Sequence, residues 1–363
     1  MKLQVTQENL NKALSTVSRV ATNRGTLPVL ANVLIKTTDN RLSVSATNLD
    51  IAITQFVGSK ISEEGAITVP ARLFQDFVNS LPSGVIDLKL DDFKLKIKAE
   101  GYASSINGIS AEDFPVMPAI SQENTWSLPA KTFKEALQQV VVAASNDDAR
   151  PVLTGVFLHS HESKLYMVAT DSYRLAEKQL GNTSDEVSLL VPANAMQDLL
   201  RIVSDSDEDV VVYHDDQQVQ FQVGEVELVT RLIDGNYPDY RKLIPSKFAN
   251  TARLGRQELA NITKVASLFA RESAGSIVVS ADEGEGKLHV RSVASQLGDN
   301  TSSVAAKVTG EDSITLNSRY LSDSLSVLHG KEVEFCFNGK LEPALIRDPA
   351  NNDYLHVIMP LKS

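Results

Sequence analysis

The sequence predicts an α+β protein made of three tandem, similar domains, each with two helices packed on antiparallel sheets. An internal repeat is the first observation behind this prediction: residues 66–81 (AITVPARLFQDFVNSL) return at residues 188–203 (SLLVPANAMQDLLRIV), and a weaker third copy begins at Asp312. The second observation is that helical and strand-like hydrophobic patterns follow one another within each copy. Because self-similarity at a fixed period indicates a repeated structural unit, we expect the copies to share one fold.

Shorter phrases of the first copy also recur in the second, at nearly the same spacing: residues 46–48 (ATN) as 169–171 (ATD), and 113–115 (DFP) as 236–238 (NYP). Polar connectors near Gln122 and Lys247 separate the copies. We therefore place the domains at residues 1–121, 122–247 and 248–363. Gene duplication without a shared function is the alternative explanation of the repeat.

Apolar residues at helical spacing predict two helices in each copy. The six predicted helices are residues 7–22, 71–80, 130–144, 193–203, 256–270 and 318–328. Pro70 and Pro192 stand where a helix accepts proline in its first turn. Asn317 or Ser318 can cap the last helix, because their side-chain oxygens accept hydrogen bonds from free backbone N–H groups.

Segments of alternating apolar and polar residues lie between these helices and predict roughly eight short strands in each copy. In residues 86–98 (IDLKLDDFKLKIK) the apolar residues alternate mainly with Lys, and Asp91-Asp92 forms the turn. The pattern predicts a β-hairpin that has one face in solvent.

The composition is that of an ordinary soluble globular chain, with 363 residues, 42% hydrophobic residues and a net charge of −11. The acidic balance disfavours a simple basic DNA-binding domain or a membrane-surface protein. The single Cys336 cannot form an internal disulfide, which fits a reducing cytosol. Neither a signal peptide nor a membrane span is expected from the sequence, so we predict a cytoplasmic protein with no membrane partner.

Charge is distributed unevenly along this acidic chain. The six predicted helices carry nine basic and six acidic residues, and the rest of the chain is correspondingly more acidic. Three equivalent helix pairs placed side by side would present a weakly basic surface. Phosphate contacts on such a surface carry no sequence information, which suits DNA that slides. The alternative is that helices on a protein surface simply expose some Lys and Arg.

The chain resembles the beta subunits of bacterial DNA polymerase III, the replicative sliding clamps, over essentially its whole length. The motifs that carry the resemblance are residues 26–30 (TLPVL), 69–72 (VPAR), 169–171 (ATD), 174–176 (RLA), 234–235 (DG), 237–241 (YPDYR) and 357–361 (VIMPL). The resemblance implies the DNA clamp fold and a head-to-tail homodimeric ring around duplex DNA. It further implies a processivity factor that is loaded by an ATP-dependent clamp loader and has neither a catalytic site nor a cofactor.

Three arginines match DNA-facing positions of the family, namely Arg24, Arg72 and Arg150. The sequence departs from the family pattern at Pro151 and Val152, where some relatives have aromatic residues that touch DNA. A solvated helix end is the alternative interpretation of the arginines.

The resemblance also implies a groove that takes short apolar peptide motifs from the DNA polymerase III alpha subunit, the clamp loader delta subunit and other replication and repair proteins. Carried over by position, its lining is Leu153, Thr170, Arg174, Leu175, Pro238, Lys242, Leu243, Tyr320, Val357, Met359, Pro360, Leu361 and Lys362. Leu, Pro and Met would form an adaptable apolar pocket, and the three cations would form its polar rim. Core packing is the alternative for Leu153, Leu175 and Val357.

Three positions near this groove depart from the family pattern. Ser172 replaces a frequent Gly and Tyr173 a frequent His, and Ala274 lies near a position where some relatives have an aromatic residue. The closing seam of the ring corresponds to Leu73 and Ile106 on one side and to Leu268 and Phe269 on the other. Phe269 would be its anchor, because aromatic residues dominate such patches.

Signals for enzymatic or metal chemistry are weak. His159 and His161 share a face of a strand, for which we predict an exposed face rather than a metal site, because a third ligand is missing. Residues 204–209 (SDSDED) lack the pattern of an EF-hand and 284–287 (GEGK) that of a phosphate-binding loop, so both are predicted to be turns. Cys336 is expected to be a buried strand thiol. The alternative function is a three-repeat enzyme or small-ligand binder that uses the groove as its pocket.

Overall fold

The computed structural model describes residues 1–21, 27–118, 120–121, 124–294 and 298–361. The chain divides into two compact units, Met1–Lys131 with Asp198–Leu232 and Thr132–Gln197 with Ile233–Ser363. The described residues contain six α-helices: α1 (Gln7–Val17), α2 (Ala71–Ser80), α3 (Ala130–Val140), α4 (Ala193–Ser204), α5 (Arg256–Phe269) and α6 (Ser318–Ser326). Each corresponds to one predicted helix. None of these helices is long and apolar enough to cross a bilayer.

The described residues also form 26 β-strands, which pair in an antiparallel manner throughout. In the first third of the chain they are β1 (Lys2–Thr6), β2 (Asn32–Thr38), β3 (Arg41–Thr47), β4 (Ile51–Val57), β5 (Lys60–Glu63), β6 (Gly65–Pro70), β7 (Val85–Asp91), β8 (Lys94–Ala99) and β9 (Tyr102–Asn107). The middle third has β10 (Asn124–Leu128), β11 (Gly155–His161), β12 (Lys164–Thr170), β13 (Arg174–Asn182), β14 (Ser188–Pro192), β15 (Val210–His214), β16 (Gln218–Val223) and β17 (Val226–Arg231). The last third has β18 (Asn250–Gly255), β19 (Ser276–Asp282), β20 (Lys287–Ala294), β21 (Gly298–Ala305), β22 (Lys307–Thr309), β23 (Asp312–Asn317), β24 (Glu332–Phe337), β25 (Ala344–Asp348) and β26 (Asn351–Ile358).

The first unit contains two sheets, in the strand orders β5-β1-β7-β8-β9 and β10-β15-β16-β17-β4-β3-β2-β6. Helix α1 packs on α2 and on β4, and it buries Leu10, Leu14 and Val17, as the helical spacing predicts. Strands β7 and β8 form the predicted hairpin, with alternately buried and exposed residues, and Asp92 adopts a positive φ in the turn. The predicted solvated face is confirmed.

The second unit contains a nine-stranded sheet, β14-β11-β12-β13-β26-β25-β24-β18-β22, and a four-stranded sheet, β21-β20-β19-β23. Helix α5 packs on α6 and on β20 and β21. The Asn317 side chain accepts a hydrogen bond from the Arg319 N–H at 2.9 Å, so Asn317 is the cap of α6. Cys336 is buried on β24, as expected.

The first and third copies share a contact that joins the two helices of the copy. In the first unit the Gln7 amide of α1 donates to the Val78 carbonyl of α2 at 2.8 Å. In the second unit Arg256, at the equivalent start of α5, donates to the Leu325 carbonyl of α6 at 3.1 Å. Arg256 also donates to the Gly330 carbonyl, so its charge caps a helix end and is less available to a partner than the predicted basic surface implies.

Some element boundaries differ from those predicted. Helix α1 ends at Val17, five residues earlier than expected, and α3 ends at Val140 and continues as a 3₁₀ turn over Val141–Ala143. The second change follows from three consecutive β-branched valines, which are unfavourable in an α-helix. Pro70 and Pro192 are the last residues of β6 and β14, immediately before the helices and not inside their first turns.

Candidate functional site

The loop between β12 and β13 is fixed by its own short polar side chains. Asp171 accepts hydrogen bonds from the backbone N–H groups of Tyr173 and Arg174, both at 2.9 Å. The Thr170 hydroxyl donates to the Arg174 carbonyl at 2.6 Å and accepts from the Ser172 N–H at 3.2 Å. Asp and Thr are suited to such turns because their side chains hydrogen-bond to nearby backbone groups. The loop is therefore rigid enough to present the groove residues.

Ser172 has a φ of +75°, in the left-handed region that favours glycine. A glycine would adopt this conformation without strain. The Ser172 side chain compensates in part, because its Oγ accepts a hydrogen bond from Arg150 at 2.9 Å. Ala274 has a φ of +53° and is exposed at the end of a 3₁₀ turn.

The first copy contains the same loop. Asn48 accepts from the N–H groups of Asp50 and Ile51, and the Thr47 hydroxyl donates to the Ile51 carbonyl at 2.9 Å. Leu49 has a φ of +81°, at the position equivalent to Ser172. Residues 46–48 and 169–171 therefore share the same pattern of hydrogen bonds as well as a similar sequence.

Arg174, one of the predicted groove residues, is buried and ion-paired within the unit. Its side chain is 9% exposed, with Nε 3.0 Å from Asp171 and Nη1 2.6 Å from Asp323 on α6. The guanidinium also lies over the Tyr320 ring, 4.5 Å from its centroid. The prediction that Arg174 forms a polar rim is wrong, because two carboxylates within the same unit already occupy it.

The C-terminal segment is held beside this loop by backbone hydrogen bonds. The Met359 N–H donates to the Tyr173 carbonyl and the Leu361 N–H to the Thr315 carbonyl, both at 2.8 Å. Met359, Pro360 and Leu361 remain half-buried. Their side chains are therefore fixed along the chain and still accessible to a partner. Lys362 lies outside the described residues.

The other apolar residues of the predicted groove divide into a floor and a rim. Leu153, Leu175 and Val357 are 4%, 3% and 2% exposed, so the core-packing interpretation describes them better. Leu175 and Val357 belong to one buried cluster with Val168, Tyr240, Cys336 and Leu345. Leu153 ends the 3₁₀ turn Pro151–Leu153.

The rim is formed by the segment from Pro238 to the end of the 3₁₀ turn Tyr240–Leu243. Pro238, Lys242 and Leu243 are all exposed, whereas Tyr320 is half-buried. The Lys242 ammonium group lies 2.6 Å from Asp239. That carboxylate raises the pKa of Lys242, so at neutral pH Lys242 is protonated and forms an exposed ion pair with Asp239.

The residues predicted to face DNA are placed unequally. Arg72, on α2, has a 93% exposed side chain and only a distant partner, Asp76 at 4.0 Å. Arg150 is 45% exposed, lies 3.6 Å from Asp147 and donates to Ser172. Arg24 lies outside the described residues. Arg72 is therefore the best placed of the described pair to meet a phosphate.

The residues predicted for the seam are likewise not equivalent. Leu73 on α2 and Leu268 on α5 are 56% and 51% exposed, and Phe269 is half-buried. Ile106 is 6% exposed on β9, so little of its side chain is available to a partner. Within the described residues β9 and β21 each lie at the edge of a sheet, and their free backbone groups can pair with another strand.

Sequence reasoning was wrong for His159 and did not select Asp171 or Asp323 as site residues. His159 is 8% exposed and lies below Tyr240, not on an exposed strand face, whereas the His161 side chain is 47% exposed. Asp323 follows Tyr320 by three positions on α6, one helical turn away, and that spacing was its only signal in the sequence.

The remaining sequence predictions concern metals and turns. Of the predicted turns, residues 205–209 and 284–286 lie outside helices and strands, as expected, whereas Ser204 is the last residue of α4 and Lys287 the first of β20. Among the described residues, ligand atoms of Asp282, Glu285 and His289 lie within 4.8 Å of one another. Lys287 already lies 3.0 Å from Glu285, so the group is occupied by an ion pair. The expectation of no metal stays a prediction.

Comparisons with known proteins agree along the whole chain. Sequence models described as the N-terminal, central and C-terminal domains of the DNA polymerase III beta subunit match residues 1–118, 127–239 and 241–362, respectively. The chain is 32% identical over 372 residues to the beta sliding clamp of Synechococcus elongatus, covering 100% of this chain and 99% of that protein. It is 29% identical to the beta sliding clamp of Bacillus subtilis, with both chains fully covered.

Solved structures agree with the sequence comparisons. A DnaN sliding clamp from Bartonella birtlesii bound to griselimycin has a TM-score of 0.95 at 30% identity, with both chains fully covered. A sliding clamp from Bacillus subtilis also has a TM-score of 0.95, at 28% identity, and covers 100% of this chain and 99% of that one. The predicted clamp fold of three similar domains is confirmed, while the boundaries at residues 121 and 247 stay predictions.

Proposed function

The chain belongs to the family of DNA polymerase III beta subunits, the beta sliding clamps, and on that premise we propose that two copies close into a ring around duplex DNA. The observation that carries the proposal is similarity to sliding clamps over the full chain. In this role the protein is a cytoplasmic processivity factor with no chemistry of its own. It has three domains, at residues 1–121, 122–247 and 248–363, and an ATP-dependent loader opens and closes it on DNA.

Retention on DNA would come from enclosure and not from affinity. The chain has a net charge of −11, yet its helices expose basic residues: Lys12, Arg72, Lys131, Arg201, Lys264 and Arg319. Such a sparse set neutralises few phosphates, and each contact is screened by salt. A weakly basic lumen inside an acidic ring would let the duplex slide.

The groove is proposed as the site where the DNA polymerase III alpha subunit, the clamp loader delta subunit and other replication and repair proteins dock. Its support is the half-buried Met359–Leu361 segment, together with the exposed Leu243 and the Lys242 cation on the turn Tyr240–Leu243. Apolar side chains surrounded by a few polar groups are typical of such interfaces. His159 does not support the alternative of an enzyme, because it is buried and hydrogen-bonded to Tyr240.

We expect clamp loaded on a nicked circle to dissociate when the circle is linearised, because free ends release a ring that is held only by topology. The measurement is gel filtration of labelled protein with DNA before and after cutting.

Arg72→Ala with Arg150→Ala should slow loading several-fold, since two phosphate contacts are lost. Arg253→Ala, an exposed strand arginine paired with Glu332, is the matched control. Protein that stays on linear DNA with free ends would contradict enclosure.

We expect sedimentation at micromolar concentration to show twice the chain mass of 39.5 kDa. The exposed Leu268 would lie in the seam, so Leu268→Asp should shift the protein toward monomer by burying a charge. Leu341→Asp, at a residue that is 82% exposed in another part of the same unit, should leave the dimer intact. A wild-type monomer under these conditions would argue against the ring.

A further inference from the structure

Tyr240 anchors the 3₁₀ turn that forms the rim of the proposed groove. Its side chain points inward and is 4% exposed, although Asp239, Lys242 and Leu243 around it are exposed. The Tyr240 hydroxyl donates to the Glu177 carboxylate at 2.5 Å, and His159 Nε2 lies 2.8 Å from the same oxygen. The turn is thus attached to β13 and β11 through one buried hydroxyl group.

Glu177 is a buried carboxylate that needs this donor. It is 7% exposed on β13, and its nearest cation is Arg241 at 3.3 Å. Arg241 belongs to the same turn and lies over the Tyr166 ring at 4.3 Å. Because an unpaired buried carboxylate is costly, Glu177 holds both Tyr240 and Arg241 in place.

The surrounding aromatic rings leave the turn little freedom. The His159 ring stacks on Phe157 at 4.7 Å and meets Tyr240 edge-on at 5.7 Å. Burial lowers the pKa of His159 to about 4, so the ring is neutral at physiological pH and adds no second charge beside Arg241. The residues that follow the anchor, Lys242 and Leu243, are presented outward by the same turn.

We propose that Tyr240, acting through Glu177, is a positioning residue of the partner groove: it fixes the turn that presents Lys242 and Leu243 to a bound peptide. The inference rests on the proposed groove. It adds a residue that affects peptide affinity without contacting the peptide. Since the anchor is buried, its effect on binding would come from preorganising the rim before the peptide arrives.

The test uses the full-length protein and a fluorescent peptide from the tail of a DNA polymerase III alpha subunit. Tyr240→Phe keeps the ring and removes the hydroxyl, so peptide affinity should fall about fivefold, the equivalent of one lost hydrogen bond. The matched control is Tyr354→Phe, which removes another buried hydroxyl of the same unit, one that donates to the Gln139 carbonyl at 3.2 Å. That variant should bind like the wild type.

A double-mutant cycle shows whether Tyr240 acts through the rim. Leu243→Ala removes the presented side chain, and adding Tyr240→Phe to it should weaken binding less than twofold, because coupled residues are not additive. Hydrogen exchange supplies a second readout: amides of residues 240–244 should exchange faster in Tyr240→Phe, with those of β13 unchanged. Full additivity, or equal losses for Tyr240→Phe and Tyr354→Phe, would overturn the positioning role.

Different results would contradict the peptide groove and the positioning role of Tyr240. A wild-type protein that does not bind the peptide would remove the groove itself, and the positioning role with it. A wild-type protein that binds, together with a Tyr240→Phe variant of equal affinity, would remove only the positioning role.

Discussion

Replacement of Arg174 by alanine should lower the free energy of unfolding by about 3–5 kcal/mol, the usual cost of removing one partner from a buried ion pair. The substitution leaves Asp171 and Asp323 without their shared cation, at side-chain exposures of 13% and 28%. It also removes the guanidinium that lies over Tyr320. Urea denaturation followed by fluorescence and circular dichroism measures the change.

The control for this prediction is Arg150→Ala in the same unit. Arg150 and its partner Asp147 are 45% and 54% exposed and lie 3.6 Å apart, so the loss should stay below about 1 kcal/mol. A variant that pairs Arg174→Ala with Asp323→Asn should recover part of the stability, because one uncompensated charge is gone. An Arg174→Ala protein as stable as Arg150→Ala would show that the ion pairs contribute little.

Deletion of residues 359–363 should abolish measurable binding of the polymerase-tail peptide, a loss of about a hundredfold or more. The deletion removes the apolar side chains of Met359 to Leu361 and the two backbone hydrogen bonds that hold them beside Tyr173 and Thr315. A few residues near the centre of an interface carry most of the binding energy, about 2 kcal/mol or more each. Fluorescence anisotropy with the labelled peptide measures the affinity.

Two further variants separate loss of the groove from loss of folding. Met359→Ala keeps the backbone hydrogen bonds and should weaken binding about tenfold or more, through lost apolar contact. Leu341→Ala removes an exposed apolar residue from another loop of the same unit and should bind normally. The melting curve and the dimer mass of each variant are checked in parallel. Retained affinity in the deletion variant would place the groove elsewhere.

Local signals in the sequence predicted local structure well. The apolar periodicity of α1, the alternation in β7 and β8 and the capping oxygen of Asn317 all act over a few residues, and each is confirmed. The internal repeat also predicted structure beyond single segments, because the loop of Thr47 and Asn48 has the same hydrogen bonds as the loop of Thr170 and Asp171. Similarity within the chain thus predicted more than any single segment could.

Contacts between distant segments were not predictable in the same way. Arg174 and Asp323 are 149 positions apart, and no spacing rule links a loop after β12 to the middle of α6. Glu177 and Tyr240 are 63 positions apart, and the Tyr240 hydroxyl that joins them is also the partner of the buried His159. From residue type alone, Arg174 was expected on the rim and His159 on the surface. In the fold both are buried: Arg174 pairs with the carboxylates of Asp171 and Asp323, and His159 with the Tyr240 hydroxyl.

Cys336 has a practical consequence for single-molecule work. The chain has one cysteine, it is 1% exposed, and burial raises the pKa of its thiol to about 12. The thiolate, which is the reactive species, is therefore almost absent at neutral pH. A cysteine introduced in place of Leu341, which is 82% exposed and away from the proposed DNA-facing arginines, would take a maleimide dye alone, so the proposed sliding can be tested without first removing the native thiol.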